Sequence, residues 1–181
     1  MAVKSREILN RKQLDIIIER LCNELIENHK DFSSTVLVSL MPRGKYIGKQ
    51  IHKKLQKILI KNIKYGELDI SFYRDDLRRH SQPIIPHKMS MNFNIDEKDV
   101  VLIDDVLFTG RTVRSAIDAL MPFGRPNRIE LLTLIDRRFQ RELPIEPNYV
   151  GKKVDSIDSE KVIVNIDSRE NLKNILILKS T

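Results

Sequence analysis

The segment from Asp99 to Thr112, D-V-V-L-I-D-D-V-L-F-T-G-R-T, constrains the fold of this chain more than any other. Val100 to Ile103 form a short continuous apolar run, the pattern of a strand buried on both faces in a parallel sheet. The run ends at two adjacent carboxylates, Asp104 and Asp105. Val106, Leu107 and Phe108 follow, then Thr109, Gly110, Arg111 and Thr112. A helical pattern comes next, with Val113, Ile117 and Leu120 on one face. The order is strand, acidic tip, short polar loop, helix N-terminus.

Each part has a chemical use. Thr109 to Thr112 offer hydroxyls and backbone N–H groups where a helix begins, which favours a phosphate. Gly110 lets the backbone approach an anion without a Cβ in the way. Asp104 and Asp105 would repel a bare phosphate, so they are expected to face hydroxyl groups or a hydrated Mg²⁺, which commonly takes one or two carboxylates plus substrate phosphates. A ligand with a monophosphate at one end, a diol in the middle and a metal-bound diphosphate at the other satisfies all of these groups. Walker A needs a Gly-Lys-Ser/Thr ending that is missing here, and the Rossmann fingerprint needs three glycines where this turn has one.

The stretch resembles the 5-phosphoribosyl-1-diphosphate (PRPP) signature of the type I phosphoribosyltransferases: apolar run, Asp-Asp, two apolar residues, one variable residue, Thr-Gly-x-Thr. The resemblance implies an α/β fold, with a central, mostly parallel sheet flanked by helices, a small hood and a flexible lid loop. It implies PRPP as substrate and Mg²⁺ as cofactor, the metal meeting Asp104 and Asp105 indirectly, through PRPP hydroxyls or water.

A chain of 181 residues reads as one domain, 1–181, able to bury roughly 70% of its unfolded surface. The single Cys22 allows no internal disulfide and suits a reducing cytoplasm, where this chain is expected to work; Cys22 reads as a small buried hydrophobe. No long apolar run predicts membrane insertion. A net charge of +7 favours anionic partners, phosphorylated substrates or nucleic acid, without choosing between them.

From Asn10 to about His29, Leu14, Ile17, Ile18, Leu21 and Leu25 form one apolar stripe of a helix, with Asn10 and Gln13 spaced as a capping box. Thr35 to Leu40 is a second buried strand, followed by Arg43-Gly44 and a helix with Ile47, Ile51, Leu55 and Ile58 on one face. In the type I enzymes the loop after this strand binds the diphosphate, which assigns Arg43 and Gly44. Gly66 to Phe72 reads as another strand, ending in Tyr73-Arg74-Asp75-Asp76-Leu77-Arg78-Arg79. The irregular stretch 74–97 is expected to be a lid, with Tyr73, Arg74, Arg78 and Arg79 covering the departing diphosphate.

Asn127 to Ile135 is a further strand, and Lys161 to Ile166 and Ile175 to Leu178 are late ones. The hood is expected at about 137–160. Its Pro147-Asn148-Tyr149-Val150-Gly151 resembles the hood of the hypoxanthine-type enzymes, where an aromatic ring stacks on the base and the next backbone reads its edge. That assigns Tyr149 and Val150 to base binding; a half-buried core aromatic is an equal reading of Tyr149. Arg137 matches the residue that donates to the exocyclic oxygen, and Val106 and Phe108 complete the base end. Where 6-oxopurine enzymes typically carry an Asp before Thr-Gly, this chain has Phe108. An unmatched purine nitrogen would cost about 1–3 kcal/mol, which favours a pyrimidine.

Over nearly its whole length the chain resembles the bifunctional pyrimidine operon attenuator and uracil phosphoribosyltransferase family. The residues that carry this are Tyr73 to Leu77, Val101 to Arg114, Gly124-Arg125-Pro126, Arg141 to Ile145 and Tyr149 to Lys152. The resemblance implies a homodimer or dimer of dimers and two activities: uracil plus PRPP giving UMP and diphosphate, and UMP-responsive binding of pyrimidine-operon mRNA. Positions that make the RNA face in RNA-binding members hold Glu19, Asn23 and Glu146 here, which oppose phosphate neutralisation; Arg141 and Lys152 remain. The expected activity is therefore uracil phosphoribosyl transfer, with RNA attenuation weakened or lost. The alternatives are a nucleotide-sensing RNA regulator with little turnover and a purine phosphoribosyltransferase.

Overall fold

The computed structural model describes residues 4–75, 89–157 and 159–179. Five strands form the central sheet: β2 (Thr35–Leu40), β3 (Tyr65–Leu68), β4 (Asp99–Leu107), β5 (Arg128–Arg137) and β6 (Tyr149–Val154). Their order is β3-β2-β4-β5-β6 and every pair is parallel. The helices are α1 (Arg11–His29), α2 (Gly44–Leu59) and α3 (Arg111–Leu120).

The continuous apolar runs follow from having both sheet faces covered. Successive side chains of a strand point to opposite faces. Accordingly, Val101 and Ile103 pack with Leu14, Leu21, Leu25, Ile51 and Leu55 of α1 and α2. Val100 and Leu102 join Val113, Ala116 and Leu120 of α3. The α1 start is the expected capping box: Gln13 N donates to Asn10 Oδ1 at 3.0 Å and Asn10 N to Gln13 Oε1 at 2.9 Å. Cys22 is buried in this core, and burial pushes its thiol up to about 12. Ile58, placed on the apolar face by its spacing, is instead exposed near the end of α2.

A second, antiparallel sheet of order β1-β8-β7 joins Lys4–Leu9 (β1), Leu172–Lys179 (β8) and Glu160–Ile166 (β7). This corrects the expected hood at 137–160, because residues 149–154 belong to the central sheet as its edge strand β6. The strand expected over Gly66 to Phe72 ends at Leu68, and Ser71–Tyr73 form a 3₁₀ turn. Of the stretch 74–97 expected as a lid, residues 76–88 lie outside the described residues, and its last part is not irregular chain free of the body. Ser90 exchanges backbone hydrogen bonds with Glu67 at 2.9 and 3.0 Å, and Ile95 is fully buried, so the chain is docked again from about residue 90.

The strand order places the site. The chain leaves β2 toward β3 on one side and returns to β4 on the other, so the connections after β2 and β4 diverge. Open α/β sheets bind ligands at such a switch point, at the carboxyl ends of the strands. The residues there are Met41 to Gly44 after β2 and Asp104 to Thr112 at the end of β4 and beyond.

Candidate functional site

β4 runs on to Leu107, so the acid pair is the last part of the strand rather than a loop beyond it. Asp104 and Asp105 are 6% and 9% exposed. Each carboxylate folds back on the chain: Asp104 Oδ1 accepts from Asp105 N and Asp105 Oδ1 from Val106 N, both at 2.9 Å. Burial pushes both carboxyls above the usual range. Asp105's charge adds to the effect at Asp104, whereas Arg43 works against it at Asp105. Two neighbouring buried carboxylates without a full counter-charge are adverse for a resting protein.

Arg43 Nη1 lies 3.9 Å from Asp105 Oδ2 and donates to the Val164 carbonyl of β7 at 3.1 Å. The turn that carries it contains a cis Met41–Pro42 peptide bond. Gly44 opens α2 directly against β4: a Cβ there would stand 2.4 Å from the Ile103 carbonyl oxygen. Only a glycine lets the two connections come this close.

Beyond β4, Gly110 takes φ +93° as the N-cap of α3 and supplies no side-chain cap. The first-turn amides of α3 lack intrahelical acceptors, Arg111 N donates to Thr109 Oγ1 at 3.4 Å, and the loop lines a cavity. That cavity, of about 190 Å³, is lined by Arg74, Asp75, Asp104 and Val106 to Val113, with Ser115. It gathers Thr109, Gly110, Arg111, Thr112, Asp104, Val106, Phe108 and Arg74 at one place. Tyr73 is exposed and is not among the residues that line it, although its chain neighbour Arg74 is. Arg78 and Arg79 lie outside the described residues.

At the base end, the Arg137 guanidinium is stacked 3.9 Å from the Phe108 ring centroid. Its Nε donates to Ser156 Oγ at 2.7 Å and its Nη2 to the Glu160 carbonyl at 3.0 Å. The expected donation from Arg137 to a base must therefore share a guanidinium already engaged by the 156–160 segment.

Tyr149 and Val150 are not brought to the cavity. The Tyr149 ring is buried, and its hydroxyl donates to Glu130 Oε2 at 3.0 Å and meets His29 Nε2 at 3.1 Å. Val150's carbonyl accepts from Arg20 of α1 at 2.8 Å. A ring held toward the start of β5 by a buried hydroxyl cannot stack on a base at the strand ends. This corrects the base-binding expectation for both residues.

The residues considered for RNA are also placed. Glu19 and Asn23 line the open side of α1, Glu19 pairing with Lys54 at 3.1 Å, and Glu146 is exposed. Lys152 Nζ donates to the Ile8 carbonyl at 3.4 Å. Arg141 is turned inward onto Asp136 and the Phe108 carbonyl. The chain's positive excess lies elsewhere: residues 43–64 hold eight Lys and Arg and no Asp or Glu.

Sequence reasoning passed over Asp75 and Glu142, which both pair with Arg111 at the cavity mouth. Their signal was weak, since each is a single charge in a charged loop. For a metal, the donor set is two hard carboxylates, and among the described residues no three His, Cys, Asp or Glu gather into a cage. That set fits Mg²⁺ carried in on substrate phosphates rather than held by protein alone.

A model of the phosphoribosyl transferase domain matches residues 4–169. The chain is 42% identical to a "Bifunctional protein PyrR" of Caldicellulosiruptor bescii, over 96% of this chain and 95% of the relative. It is 38% identical to one from Enterococcus faecalis, over 96% and 97%. Among solved structures, a hypoxanthine phosphoribosyltransferase of Staphylococcus aureus superposes with TM-score 0.67 at 24% identity, covering 94% and 90% of the two chains. The hypoxanthine phosphoribosyltransferase of Trypanosoma cruzi gives 0.72 at 16% identity, covering 97% of each. These two likenesses concern the fold.

Proposed function

The chain belongs to the type I phosphoribosyltransferase family, and on that premise we propose that it transfers the phosphoribosyl group of PRPP to uracil, giving UMP and diphosphate. The observation that carries this reading is one cavity lined by both Asp104, whose chain neighbour Asp105 is also buried, and the helix start at Thr109–Thr112, where Gly110 supplies no side-chain cap. In this reading the α3 amides and Thr hydroxyls hold the 5-phosphate and the two carboxylates meet the ribose hydroxyls. Arg43, Gly44 and Arg74 border the diphosphate. Bound Mg²⁺ would neutralise diphosphate charge and favour its departure. As the C1–O bond breaks, positive charge grows on the ribose ring, and Asp104 and Asp105 stabilise it through space. Uracil N1 then forms the new bond to C1 and releases its proton to water or to the departing diphosphate.

The choice of uracil rests on Phe108. Its ring lines the cavity and is covered by Arg137, so an apolar edge stands where a purine's imidazole nitrogen would need a partner. Binding of RNA is a second activity to weigh, because the named relatives are called bifunctional. The exposed Glu19, Asn23 and Glu146, and the inward turn of Arg141, argue that this face binds RNA weakly. A homo-oligomer working in the cytoplasm completes the reading.

The test is Mg²⁺-dependent diphosphate release from PRPP with uracil, hypoxanthine, guanine, xanthine, adenine and orotate in parallel. Turnover with uracil alone supports the proposal; turnover with a purine overturns the Phe108 argument. A salt-sensitive gel shift with the pyrimidine leader RNA of the same genome would overturn the weak-RNA reading.

A further inference from the structure

A loop that receives an anion on its N–H groups must send its carbonyls the other way. At the entry to the loop, the carbonyls of Phe108 and Thr109 are both bonded by one segment, residues 141–145, while those of Gly110 and Arg111 accept from Arg114 N and Ser115 Oγ of α3. The Phe108 carbonyl accepts from Arg141 Nη1. The Thr109 carbonyl accepts from Glu142 N at 3.0 Å and Leu143 N at 3.2 Å. Leu143 and Ile145 pack beneath Gly110, where a Cβ would stand 3.3–3.5 Å from them.

Of these contacts, only that of Arg141 is made by a side chain whose other end is anchored. Its Nη2 donates to Asp136 Oδ1, and Asp136 is 5% exposed as the penultimate residue of β5, in register with Leu107 of β4. The Arg141 side chain itself is only 18% exposed. A surface cation waiting for an external phosphate would be neither so covered nor so engaged.

We propose that Arg141 is a positioning residue for the phosphate loop: it ties the Phe108 carbonyl to the buried Asp136 carboxylate and so aims the Thr109–Thr112 amides into the cavity. The inference rests on the phosphoribosyl reading of that cavity. Arg141 need not touch substrate. A planar guanidinium spans two acceptors at once, and a lysine ammonium does so less well.

The experiment compares the full chain with R141Q and R141K, measuring binding of ribose 5-phosphate and of inorganic diphosphate separately by calorimetry. The Tm of each variant is recorded alongside. R141Q is expected to weaken ribose 5-phosphate about 10-fold or more, the effect of losing one charge-assisted hydrogen bond, and diphosphate by less than about 2-fold on the same scale. R141K is expected to recover part of the loss. Ribose 5-phosphate binding that R141Q leaves intact would overturn this inference alone. Equal weakening of both ligands, tracking a fall in Tm, would also overturn it, because the role would then be general stability. A wild-type chain that binds no ribose 5-phosphate would overturn the phosphoribosyl reading and this inference with it.

Discussion

Arg137 and Phe108 form a stacked pair, with the guanidinium carbon 3.9 Å from the ring centroid and Arg137 only 7% exposed. Phe108 directly follows β4 and Arg137 ends β5, its parallel neighbour, and burial strengthens the attraction between cation and ring. Phe108 lines the cavity, and Arg137 backs its ring; in the proposed function this is the base end.

Replacing Phe108 by Asp tests that role. The carboxylate supplies an acceptor for a purine and exchanges the stack on Arg137 for an ion pair. We expect kcat/KM for uracil to fall about 10-fold or more, the loss of ~1.4 kcal/mol, and turnover with hypoxanthine to emerge. A base-panel assay of Phe108→Asp checks both.

The acid pair predicts a conflict between stability and activity. Burial holds Asp104 above the ordinary carboxylate range, so the folded chain binds protons more tightly than the unfolded one there. Wild-type stability therefore rises as pH falls from 7 toward the ordinary carboxylate range. Asp104→Asn should raise Tm at pH 7 by about 2–4 °C, the shift ~1 kcal/mol gives in a chain of this size, and the gap should close as pH falls. Turnover should drop at the same time. Thermal unfolding across pH 4.5–8, set beside activity, measures the two effects.

Tyr149→Phe should behave in the opposite way. It removes a hydroxyl shared by Glu130 and His29 in a buried network that also includes Thr35, whose Oγ1 is 3.0 Å from His29 Nδ1. We expect a loss of about 1–3 kcal/mol in stability with kcat/KM for uracil unchanged. Denaturant unfolding together with kinetics on the one variant separates a structural hydroxyl, which costs stability alone, from one that touches substrate, which would raise KM.

Gly44→Ala places a Cβ 2.4 Å from the backbone carbonyl of Ile103, where no flexible side chain can yield. Either α2 or β4 must move, at a cost of about 1–3 kcal/mol. Because Arg43 and Asp104 ride on those two elements, KM for PRPP should rise along with the fall in Tm.

Much of this was legible in the sequence because it is written in local patterns. The buried run of Val100 to Ile103, the Asn10–Gln13 cap and the Thr109–Thr112 loop each depend on residues within a turn or two of one another. The five parallel strands fit the apolar runs wherever both faces are covered. β6 was missed because it is an edge strand: Lys152 and Lys153 on it read as loop, while an edge tolerates and uses such charges. Tyr149 was assigned to a base because its neighbours matched a hood, yet its partners, His29 and Glu130, lie 120 and 19 positions away. The clamp behind the phosphate loop was equally hidden, since Arg141 finds Phe108 33 residues earlier. Such pairings are decided by strand order, which a local pattern does not carry.

In the proposed function, Asp104 to Thr112 form one site for phosphoribosyl transfer. Its most direct test is UMP formation from PRPP and uracil with Mg²⁺, comparing the wild-type chain with Asp105→Asn at equal folded concentration. We predict saturable turnover for wild type and a fall in kcat of about 10²-fold or more, with the variant's Tm unchanged or higher. Equal kcat in the two proteins would contradict the role given to the acid pair, and a wild-type chain that forms no UMP would contradict the uracil reading itself.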